Sequence, residues 1–117
     1  MEADESLLRA AYEAFNIRDL DAAVALMHPD VDWPNAWEGG RVRGREAVRD
    51  YWRRQFAVIS STVDPRSFTK EPDGSVSVEV HQVVREAKGG GLISDSRVVH
   101  RYRLADGLVA RMDVFEA

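Results

Sequence analysis

The chain has 117 residues, of which 44% are hydrophobic and 31% are charged, and its formal net charge is −4. The absence of cysteine excludes disulfides, thiol catalysis and cysteine-bound zinc, and the acidic balance argues against a nucleic-acid-binding surface. No segment is apolar for long enough to span a membrane, and the acidic first residues do not form a signal peptide. We therefore expect one cytoplasmic domain over residues 1–117.

Two helices are predicted at the start of the chain. Asp4 or Ser6 is expected to cap the first, and Asp19 the second. Apolar residues recur at helical spacing at Leu8, Ala11, Tyr12 and Phe15, and then at Leu20, Ala23, Val24 and Met27. Pro29 prevents the second helix from continuing past His28, because proline lacks a backbone donor.

A short extended segment, 31–33, precedes a loop and a third helix. The loop, residues 35–43, contains Trp37 and the pair Gly39-Gly40. Because glycines allow backbone movement, we expect a mobile loop that places Trp37 near the mouth of a pocket. The third helix opens at residues 44–46, and its apolar positions are Val48, Tyr51, Trp52, Phe56 and Ile59.

From residue 62 the period of the apolar residues changes to two, which predicts an antiparallel meander of four strands. The expected strands are 62–70, 75–85, 92–104 and 108–115, separated by glycine-containing turns. Pro65 places the first strand at a sheet edge or in a bulge. Segregated helices and strands predict an α+β fold, in which a curved antiparallel sheet and three helices enclose a cone-shaped pocket.

Four short segments carry a resemblance to a known family. They are Asn16-Ile17-Arg18-Asp19-Leu20-Asp21, Leu26-Met27-His28-Pro29-Asp30-Val31-Asp32-Trp33, Gly44-Arg45-Glu46-Ala47-Val48 and Asp106-Gly107-Leu108-Val109. In this order they resemble the SnoaL-like family of the nuclear transport factor-like superfamily, which includes ketosteroid isomerase. The resemblance covers essentially the whole chain and implies the conical fold and a homodimer formed through the outer face of the sheet.

The resemblance does not carry over the catalytic groups of ketosteroid isomerase, which are an aspartate base, a tyrosine and a protonated aspartic acid. The tyrosine position falls on Ala11, beside Tyr12, and the base position falls on Trp33, beside Asp32. The protonated acid falls on His100. Steroid isomerisation by that mechanism is therefore not expected.

The superfamily also includes limonene epoxide hydrolase, which uses an Asp-Arg-Asp arrangement. Asp32, Arg97 and Asp113 are present as separate parts of such an arrangement, but the sequence does not bring them together.

His100 is the candidate catalytic residue. Strand alternation puts it on the same face as Val98, Tyr102 and Leu104, so it lies against a core or lines a cavity. It is either a core histidine with both nitrogens satisfied or an acid–base group in the pocket. Apolar surroundings predict a mostly neutral imidazole, with Gln82 or Tyr102 within reach to orient it.

Five side chains are expected to contact a substrate. They are Trp33, Tyr51, Gln82, Tyr102 and Trp37, of which the aromatic ones would form the pocket wall. His81 alternates to the opposite strand face and is expected at an interface or the surface. No metal site is predicted, since the histidines lack ligand spacing, and no cofactor is expected.

Two classes of function stay open. The first is a protein that binds a small apolar organic molecule and catalyses cofactor-independent isomerisation, cyclisation or hydration. The second is a non-catalytic module for ligand binding or dimerisation. A pocket in which His100 and Gln82 face empty volume favours the first class, and a pocket filled by Trp33, Tyr51 and Tyr102 favours the second.

Overall fold

The structure is a computed structural model that describes residues 2–117, so Met1 of the expected 1–117 domain lies outside the described residues. The helices are α1 (Glu2–Asn16), α2 (Leu20–Ala25) and α3 (Arg45–Phe56). The strands are β1 (Met27–Pro34), β2 (Arg41–Arg43), β3 (Ile59–Lys70), β4 (Val76–Glu86), β5 (Leu92–Ala105) and β6 (Leu108–Glu116).

The six strands form one curved, unclosed sheet with the order β2-β1-β6-β5-β4-β3. The predicted α+β cone is confirmed, and its last four strands form the expected meander. The sheet is mixed rather than purely antiparallel, because β1 runs parallel to β6. This pairing places β1 beside β6, which in turn pairs with the His100-bearing strand β5.

Two features of the meander follow the sequence signals. The register between β3 and β4 shifts between Pro65 and Ser67, so the edge strand bulges next to the proline, as expected. Asp106 and Gly107 have φ angles of 55° and 73°. Two consecutive positive φ values are the geometry of the tight hairpin turn that Asp-Gly favours.

Several predicted boundaries are wrong. Met27 and Ile59 were expected on helical stripes, but they begin β1 and β3, where Met27 pairs with Val109 of β6. Long-range strand pairing overrides the local helical spacing there. Residues 41–43 form a short strand paired with β1 and are not part of the loop. Helix α1 already begins at Glu2, so neither Asp4 nor Ser6 caps it.

The core lies between the helices and the concave face of the sheet. Its most buried members are Leu8, Val24, Val31, Val48, Val76, Val78, Val80 and Val109.

The expected cap of α2 is confirmed, since the Asp19 carboxylate accepts from the Ala22 backbone N–H at 3.1 Å. Helix α1 is fixed to the edge strand by the Asn16 amide, which donates to the Val63 carbonyl and accepts from the Val63 N–H. Among residues 2–117, no helix is long and apolar enough to cross a membrane.

Candidate functional site

A cavity of about 140 Å³ lies between the helices and the concave face of the sheet. Its lining is mostly apolar, with polar groups from tyrosine, histidine, glutamine and serine side chains. Within the described chain, no carboxylate, ammonium or guanidinium group lines it. The lining includes four of the five predicted ligand contacts, Trp33, Tyr51, Gln82 and Tyr102, and the candidate catalytic residue His100.

The inner end of the cavity holds a chain of three polar side chains. The Tyr102 hydroxyl donates to the Tyr12 hydroxyl over 2.8 Å. The Tyr12 hydroxyl in turn lies 2.8 Å from Nδ1 of His100. The planes of the Tyr12 ring and the imidazole are nearly parallel, with 5.9 Å between ring centroids and 11° between planes. All three side chains are buried, so the geometry of the chain is fixed by packing as well as by hydrogen bonds.

Burial keeps these three groups uncharged at neutral pH. Desolvation lowers the pKa of His100 to about 4, because the imidazolium would lose its hydration without gaining an anionic partner. Desolvation also raises the pKa values of Tyr12 and Tyr102 above that of an ordinary phenol. The polar end of the cavity therefore offers neutral hydrogen-bonding groups to whatever occupies it.

The hydrogen bond from Tyr102 to Tyr12 favours one imidazole tautomer. Because Tyr12 accepts from Tyr102, its own hydroxyl proton is free to be donated to Nδ1 of His100. A neutral imidazole that accepts at Nδ1 carries its proton on Nε2. Nε2 has no hydrogen-bond partner among residues 2–117. It is not fully buried, because it does not occur among the buried side-chain atoms of these residues that lack a partner. His100 lines the cavity, so its Nε2–H is a donor left for a ligand.

Aromatic rings form the wall beside this donor. Trp33 of β1 packs edge-on against Trp52 of α3, with 5.4 Å between ring centroids, and it also contacts Tyr102. Phe15 of α1 packs against the other side of Trp52 at 5.2 Å. The predicted aromatic wall thus comes from two helices and the sheet, and Trp52 and Phe15 belong to it although the sequence indicated them only as helix core.

A second set of polar side chains lies elsewhere on the cavity lining. The Gln82 amide nitrogen donates to the Ser61 hydroxyl at 3.4 Å, and the Gln55 amide nitrogen donates to the Tyr51 hydroxyl at 3.4 Å. Gln82 was one of the two residues expected to orient His100, the other being Tyr102, but its hydrogen bond goes to Ser61 of β3. The partner of the imidazole is Tyr12 instead, and Tyr102 lies at 3.5 Å.

Trp37 is the predicted contact that the structure places outside the cavity lining. Its side chain is 42% exposed, whereas Pro34 and Ala36 beside it do line the cavity. The loop that carries it is held by side chains: the Asn35 amide donates to the Glu38 carboxylate at 3.0 Å and accepts from the Glu38 N–H at 2.8 Å. Arg54 of α3 donates to the same carboxylate at 2.8 Å.

Asp32 and Asp113 do come together, but on the outer face of the sheet. Arg41 donates to Asp32 at 2.6 Å and to Asp113 at 2.9 Å, and Arg111 donates to both carboxylates at 2.8 Å. The hydrogen bond from Arg41 lowers the pKa of Asp32, and that from Arg111 lowers the pKa of Asp113. Arg97 is not part of this network, because it pairs with Glu79. The carboxylates are therefore used in ion pairs outside the cavity.

The remaining histidines lie outside the cavity lining. His81 is on the outer face, where Nε2 is 2.6 Å from the Asp95 carboxylate. His28 accepts from the Asp30 N–H and lies 3.7 Å from Asp106. In residues 2–117, no three histidine, cysteine, aspartate or glutamate side chains are grouped to hold a metal ion.

Tyr12 is the site residue that sequence reasoning missed. Its place on the apolar stripe of the first helix indicated core, and the resemblance placed the functional tyrosine on Ala11. The available signal was its phenol, because a buried tyrosine hydroxyl requires a partner. No sequence pattern identifies this partner, His100, which lies 88 residues away.

The comparison with family models decides the family. The model of the SnoaL-like domain matches residues 8–112. The chain belongs to the SnoaL-like domain family. The predicted resemblance is confirmed, and the nuclear transport factor-like fold agrees with solved structures. A search of curated proteins finds no match.

Three solved structures illustrate how widely this fold is shared. TerC, co-crystallised with polyporic acid, is 24% identical with a TM-score of 0.83, over 98% of this chain and 92% of TerC. An NTF2-like protein of unknown function from Burkholderia pseudomallei is 23% identical with a TM-score of 0.84, over 100% and 92%. RV0760c from Mycobacterium tuberculosis, in complex with estradiol-17beta-hemisuccinate, is 20% identical with a TM-score of 0.82, over 98% and 94%. At these identities the likeness shows the fold.

Proposed function

We propose that this SnoaL-like protein binds a small, mostly apolar organic molecule in its cavity and catalyses cofactor-independent proton transfer on it. The observation that carries the proposal is the hydrogen-bond chain from Tyr102 through Tyr12 to His100, which ends in an unpaired Nε2–H on an apolar cavity. Two structural neighbours were crystallised with ring-containing organic ligands, polyporic acid and a steroid ester, which supports a ligand of this kind.

The proposed chemistry is stabilisation of a developing negative charge on oxygen. Isomerisation, cyclisation and hydration of carbonyl compounds all pass through an enolate or alkoxide oxygen. A neutral N–H fixed beforehand in an apolar site stabilises such an oxygen without reorganising at the moment of reaction. His100 would donate from Nε2 to the carbonyl oxygen, while Tyr12 holds the imidazole in the tautomer that makes this donation.

A ketone with one fused aromatic ring, 1-tetralone, tests the proposal. In D₂O, solvent deuteroxide takes a proton from the carbon next to the carbonyl, the electron pair moves to the oxygen that accepts from His100, and a solvent deuteron returns to carbon. NMR should show exchange faster than in buffer with the wild-type protein. His100→Phe should lose both binding and exchange, because it keeps an aromatic ring at this position but has no donor.

Two further variants separate binding from catalysis. His100→Gln keeps an N–H donor but loses the ring that Tyr12 holds in place, so the donor is no longer fixed beforehand. It should keep binding and lose exchange while the fold stays intact. His81→Gln, on the outer face, should behave as wild type. If His100→Phe binds and exchanges 1-tetralone as the wild type does, the proposal is wrong.

Non-catalytic ligand binding is the second candidate. It is favoured by the cavity lining, which within residues 2–117 offers no carboxylate to act as a strong base. In the same experiment this function gives saturable binding of 1-tetralone, dependent on His100, without any acceleration of exchange.

We also propose that the protein forms a homodimer through the outer face of the sheet. This face carries Val99 and Phe115 side by side on β5 and β6, and the Phe115 side chain is 51% exposed. Burying such side chains against a second copy would remove apolar surface from water.

A further inference from the structure

The glutamine side chains on the cavity lining have more hydrogen-bonding capacity than the protein uses. An amide has two donor hydrogens and an acceptor oxygen. Gln82 and Gln55 each make one side-chain hydrogen bond among residues 2–117, and both are 3.4 Å long, beyond the usual range for N–H···O. Half-buried amides that line a cavity with most of this capacity unused are available to a ligand.

Gln82 and His100 lie at separate positions along the sheet. His100 of β5 pairs with Val78 of β4, whereas Gln82 lies four residues further along β4 and pairs with Ser96. At about 3.3 Å per residue this is a separation of about 13 Å along the strand. Both side chains nevertheless line the same cavity, and Trp33, Trp52 and Val63 are apolar parts of the same lining. The cavity thus has two polar positions with an apolar wall.

The charge of the ligand follows from the same lining. Within residues 2–117, no ionised side chain lines the cavity. His100 is neutral at pH 7 because its pKa is about 4. A ligand charge placed here would lose hydration without gaining a counter-ion, which is costly. The cavity volume of about 140 Å³ suits a ligand with a compact ring core.

We propose that the ligand is an uncharged compound with a compact ring core and two hydrogen-bonding groups at opposite ends. One end is an oxygen that accepts from Nε2–H of His100, and the other is a hydroxyl or carbonyl that pairs with the amide of Gln82. This inference rests on the proposed function, because it assumes that the cavity is the ligand site. It adds Gln82 as the residue that selects among ring compounds.

Three probes that differ only at one end test this selection by isothermal titration calorimetry. They are 2-naphthol, 2,6-dihydroxynaphthalene and 6-hydroxy-2-naphthoic acid, which carry a hydrogen, a hydroxyl and a carboxylate at the distal position. The wild-type protein should bind the diol about three to ten times more tightly than 2-naphthol, since a hydrogen bond contributes about 0.5–1.5 kcal/mol. It should bind the acid most weakly.

Gln82→Met keeps the length of the side chain and removes the amide. It should abolish or reverse the preference for the diol while keeping affinity for 2-naphthol, and circular dichroism would confirm its fold. His100→Phe should weaken the binding of 2-naphthol and the diol alike. If Gln82→Met leaves the ratio of their dissociation constants unchanged while His100→Phe weakens both, this inference is wrong and the proposed function stands. If the wild-type protein binds none of the probes, both are wrong.

Discussion

The Tyr12 hydroxyl lies 2.8 Å from Nδ1 of His100, across 88 residues of sequence. This contact joins the first helix to the concave face of the sheet, and it sets which imidazole nitrogen faces the cavity. The fold and the candidate chemistry therefore depend on the same hydrogen bond.

Tyr12→Phe should remove that hydrogen bond while nearly preserving the volume of the ring. The free energy of unfolding should fall by about 1–2 kcal/mol, because Nδ1 and the Tyr102 hydroxyl both lose a buried partner. Urea denaturation measures this change. Nitrogen-15 NMR of the imidazole should show the Nε2–H tautomer in the wild type and a mixture of tautomers in the variant.

Tyr102→Phe is the matched control for the tautomer. It removes the donor to Tyr12 and leaves the hydrogen bond between Tyr12 and His100 in place. Nε2 should then keep its proton, because a phenol hydroxyl donates to an imidazole nitrogen more readily than its oxygen accepts from an imidazole N–H. A wild-type tautomer population in Tyr12→Phe would show that Tyr12 does not orient the imidazole.

Stability should depend on pH through His100. Burial lowers its pKa from 6.5 to about 4 in the folded protein, so the unfolded chain binds more protons between these values. Stability is then complete above pH 6.5 and falls as the pH decreases towards 4. With about 1.4 kcal/mol for each pKa unit, the loss reaches about 3 kcal/mol.

The comparison of wild type with His100→Gln isolates this contribution. Both proteins contain the carboxylates of Asp32 and Asp113, whose lowered pKa values cause losses of stability that begin around and below their ordinary value of 3.8. Urea denaturation at pH 7.5 and pH 4.5 should show a larger decrease for the wild type. Equal decreases in the two proteins would mean that His100 titrates normally in the fold.

The sequence predicts the parts of this site whose residues are close together in the chain. It does not predict contacts between residues that are far apart in the chain. Strand alternation places His100 and Tyr102 on one face because residues two apart share a face, and the structure puts both on the cavity lining. The same rule says nothing about a helix packed over that face, so Tyr12 was not found. A three-residue strand has too few residues to show a period, so β2 was interpreted as loop.

The ion-pair network shows the same limit. Asp32 and Asp113 were noted as parts of a reactive arrangement, yet their partners Arg41 and Arg111 come from strands that only the parallel pairing of β1 and β6 brings together. Arg97 was a wrong candidate because alternation on β5 places it beside Glu79. Composition and periodicity do not determine which arginine reaches a given carboxylate.

Asp32→Asn should destabilise the protein by about 2 kcal/mol. The Asp32 side chain is only 12% exposed and receives hydrogen bonds from Arg41 and Arg111, so the substitution removes one of the two carboxylates that these guanidinium groups share. Glu79→Gln breaks an exposed pair with Arg97 and should change stability by less than about 0.5–1 kcal/mol. Thermal denaturation of the two variants measures the difference. Equal effects would show that the Asp32 network is no more than a surface ion pair.

The outer face of the sheet should form a symmetric homodimer. The charged side chains on this face are paired within the chain, as in Arg97 with Glu79 and Arg101 with Asp73. The neighbours Val99 and Phe115 are then the apolar groups left to be buried, and a two-fold axis would bring the same patch of two copies together. Light scattering at micromolar concentration should give twice the chain mass of 13.2 kDa.

Phe115→Glu should convert that dimer to monomer, because a carboxylate on each copy would be desolvated and face its own image. Ile17→Glu is the matched control, since Ile17 is 68% exposed and lies just beyond the end of α1. It should leave the mass at the dimer value. A wild-type protein that scatters as a 13.2 kDa monomer, or a Phe115→Glu variant that stays dimeric, would rule out this face as the interface.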